Sequence, residues 1–245
     1  MVVDIHSHIL PGVDDGARNM DETIEMLNMA VAEGIDVIVA TPHCEVGVEQ
    51  KDILNQQHIF EKVSEYIVAN QIPIQLFCGN EIYYSESVLE MLQNGLASTI
   101  NGTRYVLLEF PMHAGCQTIE RALMNFLYAG YWPIIAHAER YAVLRNIKKV
   151  HELVDVGVYI QVNASALLGK EGWSVKRFCK QLIRHNLVHV VSTDSHGSQH
   201  RRPQIRKCLE YLDAKYGENY RRRISEENPL QILKGEKISG KNRIN

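Results

Sequence analysis

Two histidines near the start of the chain give the first indication of chemistry. They lie in the segment Asp4-Ile5-His6-Ser7-His8, which follows the apolar residues Val2 and Val3. Because side chains alternate along a strand with a period of two residues, His6 and His8 point in the same direction. Two neutral imidazoles side by side are a suitable ligand pair for a divalent metal ion. On its own, the pair is equally compatible with polar residues at the exit of a strand.

Further histidines and acidic residues recur at the ends of later apolar segments. The later segments end near His43, Glu81, Glu109, His137, Asp194 and His196, and the loop after the first segment adds Asp14 and Asp15. Only the sixth apolar segment ends on a neutral group, Asn163. Burying so many ionisable groups together costs free energy unless metal ions compensate their charge. Since these groups include no thiolate, the pattern favours Mn, Fe or Zn in a multinuclear site over a structural zinc.

The elements that must position these residues are short strands alternating with helices. Seven segments rich in Val and Ile are expected to form strands, over residues 2–5, 36–40, 74–78, 105–109, 133–136, 159–162 and 188–192. They mostly lack polar alternation, which is typical of parallel strands covered on both faces. Apolar periodicity predicts helices over residues 20–33, 118–129, 148–156, 174–185 and 205–216, and Asn228-Pro229 predicts the start of a last one.

Seven strand–helix units in one chain predict an α/β fold of the distorted (β/α)7, TIM-like barrel type, with an open doubly wound sheet as the alternative. In such a barrel the functional site lies at the C-terminal edge of the strands, which is where the candidate ligands fall. We expect one domain over residues 1–233. Residues 234–245 are basic and polar, and we expect them to form a frayed tail.

Composition narrows the class of protein further. The 245 residues carry a net charge of -3, and no basic block precedes the tail, so nucleic-acid binding has little support. Five cysteines without regular spacing favour reduced thiols and a cytoplasmic location. The first strand begins directly after Met1, which leaves no room for a signal peptide, and no apolar run has the roughly 20 residues of a membrane span.

The order of the motifs resembles the polymerase-and-histidinol-phosphatase (PHP) family of metal-dependent phosphoesterases. The similarity is greatest to its subfamily of bacterial tyrosine-protein phosphatases of capsular and exopolysaccharide biosynthesis. It covers residues 2 to about 233 and is carried by the segments 4–10, 13–16, 40–43, 81–84, 108–110, 136–141 and 189–196. Each segment is a weak signal alone, but seven in the family's order and spacing are specific.

This resemblance implies ligands for two or three metal ions. One ion would be bound by His6, His8, Glu81 and Asp194. A second would share Glu81 and add Glu109 and His137, and a third would bind Asp14, His43 and His196. The implied ion is Mn²⁺, with Fe or Zn as alternatives. Arg140 and Arg201 are implied to bind the substrate phosphate, although Arg202 stands directly beside Arg201.

The resemblance also implies a substrate and a role. The enzyme would be a manganese-dependent protein-tyrosine-phosphatase, a phosphoric monoester hydrolase. Its substrate would be the phosphotyrosine tail of an autophosphorylating, membrane-associated tyrosine kinase, and through that kinase it would regulate capsule or exopolysaccharide production. Association with the membrane would be peripheral, through the kinase, and the oligomeric state is left open.

Three other functions compete with this interpretation. A cysteine-based tyrosine phosphatase requires an Arg six residues after its Cys, and none of the five cysteines here has one. A second PHP activity, such as histidinol-phosphate hydrolysis, would use the same metal ions and differ at the rim of the site. A non-catalytic adaptor of a polysaccharide-export complex would have no use for a full set of converging ligands.

Overall fold

The computed structural model describes residues 1–238, in which strands and helices alternate. The strands are β1 (Val3–Ser7), β2 (Val37–Ala40), β3 (His43–Cys44), β4 (Gln75–Cys78), β5 (Glu81–Tyr83), β6 (Tyr105–Glu109), β7 (Trp132–Ile135), β8 (Tyr159–Asn163) and β9 (Val190–Ser192). The seven expected strands are therefore confirmed, with small shifts at their ends. The short strands β3 and β5 were not expected.

The helices lie between the strands along the chain and after the last strand. They are α1 (Met20–Glu33), α2 (Gln50–Ala69), α3 (Val88–Gln93), α4 (Cys116–Tyr128), α5 (Ile147–Asp155), α6 (Ala164–Leu168), α7 (Trp173–Arg184), α8 (Arg206–Tyr216), α9 (Glu218–Arg222) and α10 (Asn228–Lys234). The expected helices are confirmed. The sequence did not predict α2, because Val63 and Ile67 are its only fully buried side chains and its apolar stripe is narrow. None of the helices within residues 1–238 is long and apolar enough to cross a membrane.

All strand pairs are parallel, and they form two hydrogen-bonded groups. One has the order β1-β2-β4 and the other has the order β3-β5-β6-β7-β8-β9. Strand β2 leads into β3 and β4 leads into β5 after two residues each, so the two groups are successive parts of one curled sheet. At the far side the His8 amide donates to the Ser195 carbonyl at 2.8 Å, which joins the end of β1 to the segment after β9. This α/β arrangement brings the C-terminal ends of the strands to one edge.

An irregularity in β1 aims its histidines at that edge. The pairing of β1 with β2 shifts register between Asp4 and Ser7. Ile5 packs in the apolar cluster enclosed by the strands, whereas His6, the next residue, reaches Gln161 on the opposite side of the same interior. In a regular strand, Ile5 and His6 would point to opposite faces of the sheet, and one of them would face away from the interior. The register shift lets both face inward, as β-bulges do near functional sites.

The C-terminal segment closes the other end of the strands. The Tyr105 hydroxyl donates to the Glu236 carbonyl at 2.8 Å and accepts from the Ile238 amide at 3.0 Å. Ile238 is buried, and Lys234 is the last residue of α10. The expectation of a frayed tail from residue 234 is therefore wrong as far as Ile238, because Tyr105 and the surrounding apolar side chains bind this segment. The expected tail residues 239–245 lie outside the described residues.

Candidate metal centre

The strand-end histidines and carboxylates converge at one edge of the sheet. Imidazole nitrogens and carboxylate oxygens within 4.8 Å of one another form three groups in the described part of the chain. These are His6, His8, Glu81 and Asp194; His43, Glu81 and Glu109; and His8, Asp15, His43 and His196. Of the nine ligands expected from the sequence, seven belong to these groups and His137 adjoins them at Glu81, whereas Asp14 contacts His8 from behind and belongs to none of the three.

The first group is fully buried. Nε2 of His6 lies 3.1 Å from Glu81 Oε2 and 3.4 Å from Asp194 Oδ1. Nε2 of His8 lies 3.2 Å from the same Glu81 oxygen and 3.3 Å from Nε2 of His6. Two imidazole nitrogens and two carboxylates thus face one point, and a divalent cation there would neutralise the buried negative charge of the carboxylates.

The outer nitrogens of these imidazoles are already in use. Nδ1 of His6 lies 3.2 Å from Gln161 Oε1, and Nδ1 of His8 lies 2.6 Å from Asp14 Oδ2. An oxygen acceptor on Nδ1 holds the proton there and leaves the Nε2 lone pair free, which is how proteins orient histidine ligands. Although burial alone would lower it, the carboxylates of Asp14 and Glu81 raise the pKa of His8 to about 10, so without a metal ion Nε2 also holds a proton, in the place that a cation would take. These residues therefore fit a divalent cation.

Glu81 extends the site to a second group. Its Oε1 lies 2.8 Å from Nε2 of His137, and its Oε2 lies 3.3 Å from Nδ1 of His43. Glu109 approaches both rings, at 3.5 Å from His137 and 3.7 Å from His43. Burial and the charge of Glu81 raise the pKa of Glu109. A cation would stabilise two carboxylates within one group, and Glu81 belongs to both the first and the second group.

The third group lies at the mouth of the site and contains Asp15. Its Oδ1 is 3.4 Å from Nε2 of His43 and 3.4 Å from Nε2 of His196. Nδ1 of His196 is held by the Asp194 carbonyl oxygen at 3.1 Å. Burial and the neighbouring charge of His8 lower the pKa of His196 to about 3, which keeps its imidazole in the neutral form that binds metal ions.

Asp14, which we expected in this third group, lies behind it. Its Oδ2 binds Nδ1 of His8 and accepts from the His43 amide at 2.9 Å, while its Oδ1 accepts from the Gly16 amide at 2.9 Å. Both oxygens are thus used in holding the loop and His8. The physical reason is a tight turn at Gly16, where the chain folds back so closely against β1 that a Cβ would overlap the His8 carbonyl oxygen. This turn directs Asp14 inward and Asp15 outward.

Two arginines also contact Asp194, one at each carboxylate oxygen. Nη2 of Arg140 lies 3.1 Å from Asp194 Oδ2, and Nη2 of Arg201 lies 2.6 Å from Asp194 Oδ1. Both line a cavity of about 480 Å³, together with Lys170, His200 and Arg202. The sequence did not single out Glu171, whose Oε2 lies 3.4 Å from Nε of Arg140. This basic cavity opens directly beside the buried metal-binding group.

The backbone of the site departs from ordinary geometry. His137, Asp194 and Arg201 have positive φ angles of 33°, 53° and 45°. Such conformations cost about 1–3 kcal/mol each for residues other than glycine and collect at functional sites. After β7 and β9 they turn His137 and Asp194 back over the strand ends, and no sequence signal announces them.

The cysteines are poor nucleophiles in this environment. All five are free thiols. Burial raises the pKa of Cys44 to about 11 and that of Cys208 to about 12. Because the thiolate is the reactive form, a thiol that stays protonated at neutral pH supplies little nucleophile. The raised pKa values of the thiols and the lack of an Arg six residues after any Cys both argue against a cysteine-based phosphatase.

Comparisons with known proteins agree on one group of relatives. The family described as capsular polysaccharide synthesis, CpsB/CapC, matches residues 2–234. The tyrosine-protein phosphatase CpsB of Streptococcus pneumoniae is 34% identical over 95% of this chain and 98% of its own length. The tyrosine-protein phosphatase YwqE of Bacillus subtilis is 33% identical over 88% of this chain and 85% of its own length.

A solved structure extends this agreement to three dimensions. It comes from work on YwqE of Bacillus subtilis and CpsB of Streptococcus pneumoniae, described there as unique metal-dependent tyrosine phosphatases. Its TM-score against this chain is 0.90 at 31% sequence identity, over 98% of this chain and 97% of the other.

Proposed function

This chain belongs to the CpsB/CapC family of capsular polysaccharide synthesis, and from that membership we propose that it is a metal-dependent protein-tyrosine phosphatase. The observation that carries the proposal is the buried group of His6, His8, Glu81 and Asp194. Nε2 of His6 and Nε2 of His8 face the same oxygen of Glu81, and the Nδ1 atom of each ring already has a hydrogen-bond partner. A divalent cation satisfies all of these atoms at once.

We assign the metal ligands in three sets that share residues. The first is His6, His8, Glu81 and Asp194, and the second is Glu81, Glu109 and His137 with His43 beside it. The third is Asp15, His43 and His196, in which Asp15 replaces the Asp14 expected from the sequence. We propose Mn²⁺ as the ion, with Fe or Zn as alternatives, because the ligands are imidazoles and carboxylates without a thiolate.

Bound metal ions would supply Lewis-acid stabilisation of the phosphoryl oxygens and lower the pKa of water to roughly 7. The chain's own contribution is to bind and orient the phosphate. Arg140 and Arg201 line the cavity beside Asp194, and a guanidinium can donate to two phosphoryl oxygens at once. Their charge stabilises the negative charge that phosphoryl transfer spreads over those oxygens. The phenolate of tyrosine, with a pKa of about 10, is a fair leaving group.

Glu171 holds Arg140 ready for this task. It pairs with Nε of Arg140 through one oxygen and accepts from the Ser165 hydroxyl at 2.8 Å through the other. Nη2 of Arg140 remains directed at Asp194 and the cavity. An incoming phosphate can therefore take over the contacts of Nη2 while Glu171 keeps the guanidinium plane in position.

Two finer points of classification belong to the same proposal. We assign the chain to the PHP family and its fold to the distorted (β/α)7 barrel. Support for the closed barrel comes from the hydrogen bonds that link β1 to the segment after β9, His8 to Ser195 at 2.8 Å and Asp194 to His6 at 2.9 Å. We also propose that residues 1–233 form one functional domain.

The proposed substrate is the phosphorylated tyrosine tail of a tyrosine kinase that controls capsule or exopolysaccharide production. Support comes from the family, whose members bear the names of capsule synthesis and tyrosine phosphatase. We propose that the reaction takes place in the cytoplasm, an assignment supported by the five free thiols.

A substrate panel tests this function. The purified protein is assayed with Mn²⁺ on a phosphotyrosine peptide, on the same peptide carrying phosphoserine, and on histidinol phosphate. We expect the phosphotyrosine peptide to be hydrolysed with the highest kcat/KM, and EDTA to abolish its hydrolysis. A preference for histidinol phosphate, or hydrolysis that EDTA leaves intact, would overturn the assignment.

A further inference from the structure

Strand β8 contributes two neutral amides to the floor of the metal centre, in place of a charged ligand. Gln161 and Asn163 are two residues apart and therefore face the same interior side of the sheet. Both side chains are buried, at 0% and 1% exposure. Burying two carboxamides costs free energy unless each donor and acceptor is bonded, so their partners define what they do.

The two amides form a continuous chain of hydrogen bonds between two candidate ligands. The His137 amide donates to Gln161 Oε1 at 2.6 Å, and Gln161 Nε2 donates to Asn163 Oδ1 at 2.8 Å. Asn163 Nδ2 then donates to Asp194 Oδ2 at 2.8 Å. A backbone N–H at one end can only donate and an ionised carboxylate at the other can only accept, so the direction of every bond in this amide chain is fixed.

This fixed direction determines the form of His6. Gln161 Oε1 can act only as an acceptor. Nδ1 of His6, which lies 3.2 Å from it, must therefore carry the proton of this hydrogen bond. Nε2 of His6 is then left with a lone pair facing Glu81 and Asp194. The amide chain thus sets the tautomer that a metal ligand requires.

The same amides fix two further ligands. The bond to the His137 amide holds a residue whose φ of 33° is unfavourable, directly where its ring turns towards Glu81. Asn163 Nδ2 donates to Asp194 Oδ2, which Arg140 Nη2 also contacts, and the other oxygen, Oδ1, faces His6 and His8. Asn163 is itself held by Glu139, whose Oε1 accepts from the backbone N–H of Asn163 at 3.0 Å.

We propose that Gln161 and Asn163 are positioning residues that preorganise His6, His137 and Asp194 for metal binding. They bind neither the metal ion nor the substrate. Before the ion binds, they fix the tautomer of His6, the backbone conformation of His137 and the carboxylate rotamer of Asp194. This proposal rests on the metal-dependent function proposed above.

The test measures metal affinity instead of catalysis. Zn²⁺ serves as a diamagnetic probe, and its dissociation constant is measured by competition with a chromogenic chelator. Gln161→Met keeps the length of the side chain and removes its acceptor and donor. Asn163→Ala removes the bond to Asp194. We expect each variant to bind Zn²⁺ about 10–100-fold more weakly than the parent, the range typical for loss of a group that orients a ligand.

Two further variants separate positioning from general destabilisation. Val162→Ala deletes buried atoms between the two amides on the opposite face of β8, and should leave the Zn²⁺ affinity within about threefold of the parent. Gln161→Glu retains an acceptor for His6 Nδ1 and the His137 amide, and should recover part of the affinity that Gln161→Met loses. In the Zn²⁺-loaded parent, ¹⁵N NMR of the His6 ring should show a protonated Nδ1.

The outcomes distinguish this proposal from the function on which it rests. A parent protein that binds no Zn²⁺ would contradict the proposed function. A parent that binds Zn²⁺, with Gln161→Met and Asn163→Ala folded and within threefold of its affinity, would overturn the role of the amides alone. An equal loss in Val162→Ala, or a His6 ring protonated at Nε2 in the parent, would overturn it as well.

Discussion

Asp14 and His8 are joined by a hydrogen bond of 2.6 Å between the carboxylate and Nδ1 of the ring. This bond separates the roles of two adjacent aspartates. Asp14 orients a buried ligand. Burial would raise its pKa, but the hydrogen bond and charge of His8, together with the backbone hydrogen bonds from His43 and Gly16, lower it to about 2. Asp15 faces His43 and His196 at the mouth.

The two aspartates should therefore respond differently to substitution. Asp15→Ala removes a ligand of the outermost group, and we expect metal content to fall by one ion. Asp14→Asn keeps an oxygen near His8 but removes its charge, and should weaken binding about 10–100-fold without removing a ligand. Elemental analysis after gel filtration at saturating Mn²⁺ measures the content, and titration measures the affinity. Loss of one ion in Asp14→Asn but not in Asp15→Ala would reverse our assignment.

Arg140 should act on the phosphate and not on the metal ions. Its Nη2 contacts Asp194, but its guanidinium lies in the basic cavity and is held by Glu171. Arg140→Ala should lower kcat on a phosphotyrosine peptide by on the order of 10²–10³, the effect of removing one charge-stabilising donor. Arg140→Lys should rescue only part of this, because an ammonium lacks the planar fork. Metal content serves as the control, and its loss in Arg140→Ala would contradict the role.

The thiols should be dispensable for hydrolysis. Burial keeps Cys44 protonated at neutral pH, and its Sγ donates to the Leu96 carbonyl at 3.4 Å. Replacing all five cysteines with Ser or Ala should leave kcat within roughly tenfold of the parent, after packing losses of a few kcal/mol in stability. Circular dichroism confirms folding, and metal is restored before assay. A folded, metal-loaded but inactive variant would show that a thiol carries the chemistry.

Buried His189 predicts a loss of stability in acid that is independent of the site. Its Nδ1 accepts from the Ile160 amide at 3.1 Å, and burial lowers the pKa of the ring from 6.5 to about 4. The unfolded chain therefore takes up this proton near pH 6.5, and the folded protein takes it up only near pH 4. Between these values the unfolded state binds more protons, so stability falls as the pH falls.

The size of this effect follows from the difference between the two pKa values. Between pH 7 and pH 4.5, proton uptake by His189 in the unfolded chain should lower the free energy of unfolding by about 2 kcal/mol. His189→Asn retains an acceptor for the Ile160 amide but does not titrate. Denaturant unfolding of both proteins at the two pH values isolates this contribution. An equal acid loss in parent and variant would show that His189 does not cause it.

The sequence predicted the strands and the approximate site because both depend on local composition. Buried parallel strands are continuous runs of Val and Ile, and the polar residue that ends each run marks one edge of the sheet. His6, His43, Glu81, Glu109, His137, Asp194 and His196 all reached the expected edge for this reason.

What the sequence did not predict depends on backbone geometry and on contacts distant in the chain. The choice between Asp14 and Asp15 is made by a turn at Gly16 that presses against β1. The inward direction of both Ile5 and His6 depends on a shift of register. Asn163 reads as a neutral strand end, and only its bond to Asp194, 31 residues later, reveals its position in the site.

The most direct test of the account is the metal dependence of phosphotyrosine hydrolysis in one protein sample. The metal ions are removed by chelation, their absence is verified by elemental analysis, and kcat is measured before and after Mn²⁺ is restored. His137→Ala and Asp194→Ala, which each remove a proposed ligand, are carried through the same steps. We predict that the metal-free protein is inactive, that Mn²⁺ restores the parent, and that neither variant recovers. Full activity in protein shown to be free of metal would contradict the account.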